Sequence, residues 1–286
     1  MNKKSGFVVF VGRSNVGKST LLNTIIGTKV AIVTPKAQTT RHPVRGIYTD
    51  ERGQIVFVDT PGFFLGKKDL VSMRLNQLAR EQLEGIEAIV YVMDPTREPG
   101  AEETHIQDIL QHVSIPIIAV LNKCDLPLEK RPAMPAFRAI DVGQKETIEL
   151  SAITHNDVNH LLDALFALIP NGEQFYPDAQ LTDIPQKEWL EELIREKVFL
   201  HVREEVPYSV HVEADEIEQP PSGGLRIKAT IYTTDERYKG IIIGKGASML
   251  KAIGSDTRHE LEQATDSRVR LDLHVEVDAK WPQRFK

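Results

Sequence analysis

At 286 residues the chain is long enough for one complete α/β domain and a smaller second domain, each with its own core. Its apolar fraction of 41% and charged fraction of 27% are those of a soluble globular protein, and no apolar run approaches the roughly 20 residues that span a bilayer. The net charge of −6 argues against a protein that coats nucleic acid indiscriminately, although screening confines each charge to about 10 Å, so a local basic site is still allowed.

The chain opens with Met1 to Ser5 and runs within a few residues into a strand, which leaves no room for a signal peptide. Short β-branched apolar runs predict buried strands at 7–11, 55–59, 88–94, 115–122 and 147–151. Amphipathic stretches predict helices at 18–26, about 70–83, 101–112 and 156–168. Between 44–49 and the run from 54, Asp50-Glu51-Arg52-Gly53 reads as a hairpin turn. Strand–helix alternation of this kind makes an α/β domain over 1–170, a mostly parallel sheet with helices on both faces and one antiparallel edge strand. The single cysteine, Cys124, excludes an internal disulfide framework and fits a reducing cytosol.

Ile169-Pro170-Asn171-Gly172 ends the last of these helices, and Pro177 to Pro185 lacks apolar periodicity, so 171–185 is read as a linker. Over 186–286 the order changes to a smaller α+β domain. A helix at 189–202 precedes strands at 209–214 and 225–233, which flank the turn-rich Gln219 to Gly224. Helices at 238–243 and 248–263 and a strand at 268–277 follow.

Gly12-Arg13-Ser14-Asn15-Val16-Gly17-Lys18-Ser19 is a complete P-loop between a strand and a helix, which Thr20 continues. Its glycines let successive N–H groups face phosphate oxygens at a helix N-terminus. Lys18 would bring a point charge to the β- and γ-phosphates, and the Ser19 hydroxyl would ligate Mg²⁺. Asp59-Thr60-Pro61-Gly62 ends a strand, where Asp59 can hold Mg²⁺ through water and the Gly62 N–H can reach a γ-phosphate. Asn122-Lys123-Cys124-Asp125 selects the base. The Asp125 carboxylate can accept from guanine N1–H and its exocyclic amine, a donor pair that adenine lacks. The Lys123 stem can lie over the ring, Asn122 can tie this loop to the P-loop, and Ser151-Ala152 would bring a backbone N–H to guanine O6.

With these motifs in this order, the chain resembles the Era-like family of GTPases. Thr34 to His42 is similar to the family's first switch, which implies that Thr40 is a Mg²⁺-binding threonine. The resemblance also offers Asn15 a role in ligating a monovalent cation, K⁺, with backbone oxygens of Thr34 and Lys36 and, as a further candidate, Thr39, against the alternative that Asn15 only braces the loop. Lys18, Thr40, Gly62 and Asn15 are then the expected catalytic contributors. Phe63 and Phe64 stand where many small GTPases carry a water-orienting glutamine, so slow intrinsic turnover is expected.

In the second domain, Gly244-Lys245-Gly246-Ala247 sits between two helices, and the element order is that of a type II KH domain, whose G-x-x-G loop clamps nucleotides along their backbone. Arg237, Lys239, Lys245 and Lys251 lie in a stretch without acidic residues, and Gly244, Lys245, Gly246 and Ala247 form the loop itself. Ala247 stands where the second loop glycine belongs. At positive φ it would cost about 1 kcal/mol. The closing Val275 to Trp281 is also similar to the family, so the resemblance covers nearly the whole chain. It implies a monomeric GTPase of the cytoplasm that binds GTP and GDP and holds the 3′ region of 16S ribosomal RNA in small-subunit (30S) maturation. Peripheral contact with the inner face of the cell membrane occurs in the family, although no amphipathic anchor here demands it. The rival reading is an RNA-binding scaffold whose G domain hydrolyses GTP very slowly. A tRNA-modification or tandem-G-domain GTPase is disfavoured by the single P-loop.

Overall fold

A computed structural model describes residues 3–36, 39–61, 85–203, 205–221 and 223–284. By compactness these fall into two units, one made of Met1–Val33 and Ala37–Ile184, the other of Thr34–Lys36 and Pro185–Lys286.

The first strand, β1 (Lys4–Val11), is apolar on both faces: Val8 and Phe10 enter one core, Val9 and Val11 another. β4 (Ala88–Met93) alternates in the same way, with Val90 and Val92 on one side and Ile89, Tyr91 and Met93 on the other. A strand buried on both faces belongs in the middle of a parallel sheet. With β2 (Val44–Asp50), β3 (Gly53–Asp59), β5 (Ile117–Leu121) and β6 (Glu146–Glu149) the order is β2-β3-β1-β4-β5-β6, and β2 alone runs antiparallel. Helices α1 (Lys18–Ile26) and, further on, 158–168 bring Leu21, Leu22, Leu161 and Leu165 to one face. Helix α2 (Ala101–Leu110) and the short α3 (Met134–Arg138) bring Ile106, Leu110, Met134 and Phe137 to the other. Helix α4 (Val158–Leu168) then closes the unit.

The fold class expected from the sequence is the one observed, with local differences. The expected helix at 70–83 lies outside the described residues. Helix α3 has too few residues to show a period, and its Pro135 masks it further. The strand expected to reach 151 stops at Glu149 because Ser151 turns into a loop, where its N–H donates to Asn156 O at 3.2 Å. Helix α4 begins only at Val158, after Asp157 at φ 57°.

Residues 171–184, read from sequence as part of a linker, are tied down along the β2–β3 edge of the first unit. Ile47 N–H donates to Leu181 O at 2.8 Å, Thr182 Oγ1 donates to Arg45 O at 2.7 Å, and Arg45 pairs with Asp183 at 2.9 Å. The fully buried Gln54 side chain accepts from the N–H groups of Phe175 and Tyr176 and donates to Tyr176 O, at 2.9–3.0 Å. An open sheet edge presents unpaired N–H and C=O groups, and here the strap takes some of them up.

In the second unit, α5 (Gln186–His201) packs over a three-stranded sheet. β7 (Val210–Glu218) pairs antiparallel with β8 (Leu225–Thr233), and β8 pairs parallel with β9 (Val269–Val277). Helices α6 (Glu236–Ile243) and α7 (Ser248–Thr265) complete the helix–strand–strand–helix–helix–strand order, and Trp281–Arg284 forms a closing turn of helix, α8. Leu193, Ile194 and Val198 from α5 meet Val212, Ile227, Ile231, Ile253 and Leu261 in one core. β7 runs past the expected end at 214 because a bulge between Ala214 and Glu216 lets the strand continue. The Trp281 indole is buried and donates to Ser209 O at 2.9 Å. Lys36 Nζ donates to the carbonyls of Phe199 and Val202. Among the described residues, no helix is long and apolar enough to cross a membrane.

Candidate functional site

The C-terminal ends of the parallel strands β1, β4 and β5 deliver three loops to one edge of the sheet, where α/β folds bind ligands. The loop after β1 curls through Asn15 at φ 64° and Gly17 at φ 104° before α1 begins at Lys18. Gly17 has a steric reason to be glycine, since a Cβ there would lie 2.3 Å from Asn122 Nδ2. Ser14 is half-buried in this loop, and Thr20 lies on the first turn of α1. Lys18 is buried, and its ammonium donates to the carbonyls of Gly12 and Arg13 at 3.0 and 2.9 Å. Burial lowers its pKa to about 8, against the opposing charge of Asp59. Arg13 Nε lies 2.8 Å from Glu103 Oε1, so a nearly buried ion pair ties the loop to α2. The other oxygen of Glu103 accepts from the Gly100 N–H at 2.9 Å.

Ser19, Thr40 and Asp59 converge. Ser19 Oγ donates to Asp59 Oδ2 at 2.5 Å, Thr40 Oγ1 donates to the same oxygen at 3.3 Å, and the two hydroxyls are 3.1 Å apart. Asp59 is fully buried, and burial pushes its carboxyl up, opposed first by the Lys18 charge. Its other oxygen, Oδ1, is buried with no hydrogen-bond partner among the described residues. An unsatisfied buried carboxylate oxygen beside two hydroxyls suits a hard cation with oxygen ligands, and one carboxylate with phosphates to complete the shell is the donor set that Mg²⁺ takes. Among the described residues, no group of three or more His, Cys, Asp or Glu could hold another metal. Gly62, expected beside the γ-phosphate, lies outside the described residues, as do Phe63 and Phe64.

Asn122 does the tying that its position after β5 suggested. Its Nδ2 donates to Val16 O at 2.9 Å, while its Oδ1 accepts from Lys123 N at 2.8 Å and Ala152 N at 3.0 Å. The loops at 12–17, 122–125 and 151–152 are thereby held by one buried side chain. Asp125 is exposed, and Ser151 Oγ donates to its Oδ1 at 2.7 Å. Ser151 Oγ in turn accepts from the N–H groups of Ile153 and Thr154, at 3.3 and 3.2 Å. Lys123, at φ 65°, reaches back toward the P-loop, with its Nζ 3.5 Å from Asn15 O and 2.5 Å from Asp94 Oδ2. Sequence reasoning missed Asp94 and Glu103. Nothing local marks either one, because each acts on a loop that the sheet brings to it.

The second unit carries a groove of about 720 Å³ between α7 and β9. Ala247 and Lys251 line it. Lys228, Arg258 and His274, which the sequence did not single out, line it too, over apolar Leu271 and Leu273. Asp272 and the pairing of Lys228 with Glu216 at 2.7 Å temper its positive charge, and that hydrogen bond raises the Lys228 pKa. The loop at its end holds Gly244 at φ 71°, Gly246 at φ 60° and Ala247 at φ 62°. A Cβ on Gly244 would come within 2.8 Å of Met249 Cβ, so this glycine is sterically required. Ala247 therefore does adopt the conformation that favours glycine. Lys245 and Arg237 are exposed and Lys239 half-buried; Arg237 and Lys239 stand on α6 rather than in the groove lining.

Fold and site together define a P-loop GTPase domain followed by a KH domain. Residues 7–123 match the family model for a 50S ribosome-binding GTPase, and residues 205–282 match that for a KH domain. The chain is 39% identical over 282 residues to GTPase Era of Heliobacterium modesticaldum, covering 98% of this chain and 94% of that one. It is 41% identical over 284 residues to GTPase Era of Carboxydothermus hydrogenoformans, covering 98% and 95%. Among solved structures, Aquifex aeolicus Era bound to GDP and aluminium fluoride superposes with a TM-score of 0.90 at 35% identity, covering 98% of this chain and 96% of that one. Era in complex with MgGDPNP and nucleotides 1506–1542 of 16S ribosomal RNA superposes with a TM-score of 0.92 at 36% identity, covering 99% and 96%. The chain belongs to the Era family of GTPases.

Proposed function

We propose that this GTPase is a nucleotide-dependent switch whose KH domain holds single-stranded RNA of the 16S 3′ region during assembly of the small ribosomal subunit. The observation that carries this reading is the pairing, in one chain, of the converging Ser19, Thr40 and Asp59 oxygens with a cationic groove over an apolar floor. RNA is read where unstacked bases meet apolar or aromatic floors and cations meet the backbone. The relative bound to a 16S fragment supports the same partner.

In this reading the P-loop amides cradle the phosphates, and Lys18 turns from the carbonyls of Gly12 and Arg13 onto the β- and γ-phosphates. Ser19 and Thr40 would ligate Mg²⁺, and Asp59 would hold it through water; the ion supplies charge that offsets the negative charge growing between the β- and γ-phosphates. Asp125, oriented by Ser151, takes the guanine donors, and the Ala152 N–H, set by Asn122, faces O6. Asn15 offers an amide oxygen for a monovalent cation beside the phosphates. Turnover that is equal in K⁺ and Na⁺ would limit Asn15 to bracing the loop. Phe63 favours slow intrinsic hydrolysis.

Lys245→Glu tests the RNA half. A labelled oligonucleotide of the 16S 3′ end should bind about tenfold more weakly, with a shallower salt dependence, while GTP affinity stays as it was. RNA affinity that survives the charge reversal would remove the loop from the site.

A further inference from the structure

A lysine lying along a guanine ring must give up the rotamer freedom of a long, flexible stem. The structure holds Lys123 in place from below. Asp94, the residue that follows β4, is fully buried, whereas about a quarter of the Lys123 side chain, 27%, stays exposed. Asp94 Oδ2 lies 2.5 Å from Lys123 Nζ. Asp94 Oδ1 accepts from Thr96 N–H at 3.0 Å and from Thr96 Oγ1 at 2.7 Å, so the carboxylate is fixed in a turn of its own. Burial works against ionisation here, but the hydrogen bonds from Lys123 and Thr96 outweigh it and hold the carboxyl below its ordinary range. The lysine backbone is pinned as well, at φ 65° with its N–H on Asn122 Oδ1. Each carboxylate oxygen of Asp94 is thus committed either to the turn or to the lysine.

We propose that Asp94 is a positioning residue for guanine-nucleotide affinity, setting Lys123 in the rotamer whose methylene stem lies on the base. Thr96 supports it by fixing the carboxylate plane. The inference rests on the reading that guanine sits beside Lys123 and Asp125. It implies that Asp94 acts on GDP and GTP alike and leaves the chemical step alone, since Lys123 meets Asn15 at its backbone oxygen, 3.5 Å from Nζ, whereas the oxygen offered to a cation is on the Asn15 side chain.

The test compares the full chain with Asp94→Asn, Lys123→Met and the double variant, by binding of fluorescent GDP and GTP and by single-turnover hydrolysis at saturating GTP. Asp94→Asn keeps the side chain's shape and drops its charge. It should weaken both nucleotides about tenfold or more, because a charge-assisted bond is lost, with their ratio and the hydrolysis rate unchanged. In the Lys123→Met background, Asp94→Asn should cost no further affinity and should raise the thermal midpoint of the nucleotide-free protein, because it neutralises a buried carboxylate left without its partner. Thr96→Val, a milder change, should weaken binding about threefold through the same lysine. Parental affinity in Asp94→Asn and Thr96→Val, or losses that simply add in the double variant, would overturn the proposal. A parent chain that binds no guanine nucleotide would instead overturn the reading of the site.

Discussion

Lys18 carries a single buried charge whose proton affinity follows its surroundings. Its ammonium rests on two backbone carbonyls, which do not replace lost water, and its pKa falls to about 8. Between that value and the ordinary lysine value of 10.5, the unfolded chain holds this proton and the folded chain does not, so stability rises with pH across the window, and the burial cost is fully present below it. A triphosphate beside Lys18 would raise the pKa again. Nucleotide binding at pH 8.5–9 should therefore take up a proton, read as a dependence of the calorimetric enthalpy on the ionisation enthalpy of the buffer. Lys18→Met should abolish the uptake, and an uptake that persists in that variant would assign it elsewhere. At this scale the sequence was informative wherever chemistry demands a local pattern. Ser19 and Asp59 were legible from their motifs, and Thr40 from the family resemblance. Asp94, Glu103, Lys228, Arg258 and His274 were not, because tertiary packing alone puts them beside the loops and groove they serve.

At the level of elements, the two-sided apolar runs of β1 and β4 named their own place in the sheet, since only a central strand has apolar neighbours on both faces. The stretch 171–184 was harder to read. Its hydrogen bonds go to the edge strand β2 and to Gln54 of β3, far away in sequence, and no periodicity records them. Gln54 is its main anchor: truncation to alanine would leave the N–H groups of Phe175 and Tyr176 and the carbonyl of Tyr176 without their partners. At about 1 kcal/mol for each lost bond, the first unit should lose about 2–3 kcal/mol in urea unfolding. Limited proteolysis should then open within 171–184. A strap as resistant in Gln54→Ala as in the parent would show that these bonds do not hold it. The KH loop carries a smaller debt of its own, since Ala247 at φ 62° costs about 1 kcal/mol relative to glycine.

Over the whole molecule, each unit has its own core, and the phosphate and base loops and the groove stand on different units. Among the described residues, the phosphate and base loops at 12–20, 59–61, 122–125 and 151–152 belong to the first unit and the groove lining to the second, while Thr34–Lys36 of the first switch are grouped with the second unit. Substitutions should therefore separate the two ligands, which is why the effect of Lys245→Glu is expected to stop at RNA. The nucleotide half carries the rest, because a switch without its guanine nucleotide has nothing to report. Calorimetric titration of the full chain with GDP, GTP and ATP in Mg²⁺ measures this most directly. Both guanine nucleotides should bind, with ATP at least about a hundredfold weaker, because adenine leaves Asp125 without its donors. Comparable uptake of ATP, or no uptake of any of the three, would contradict the account.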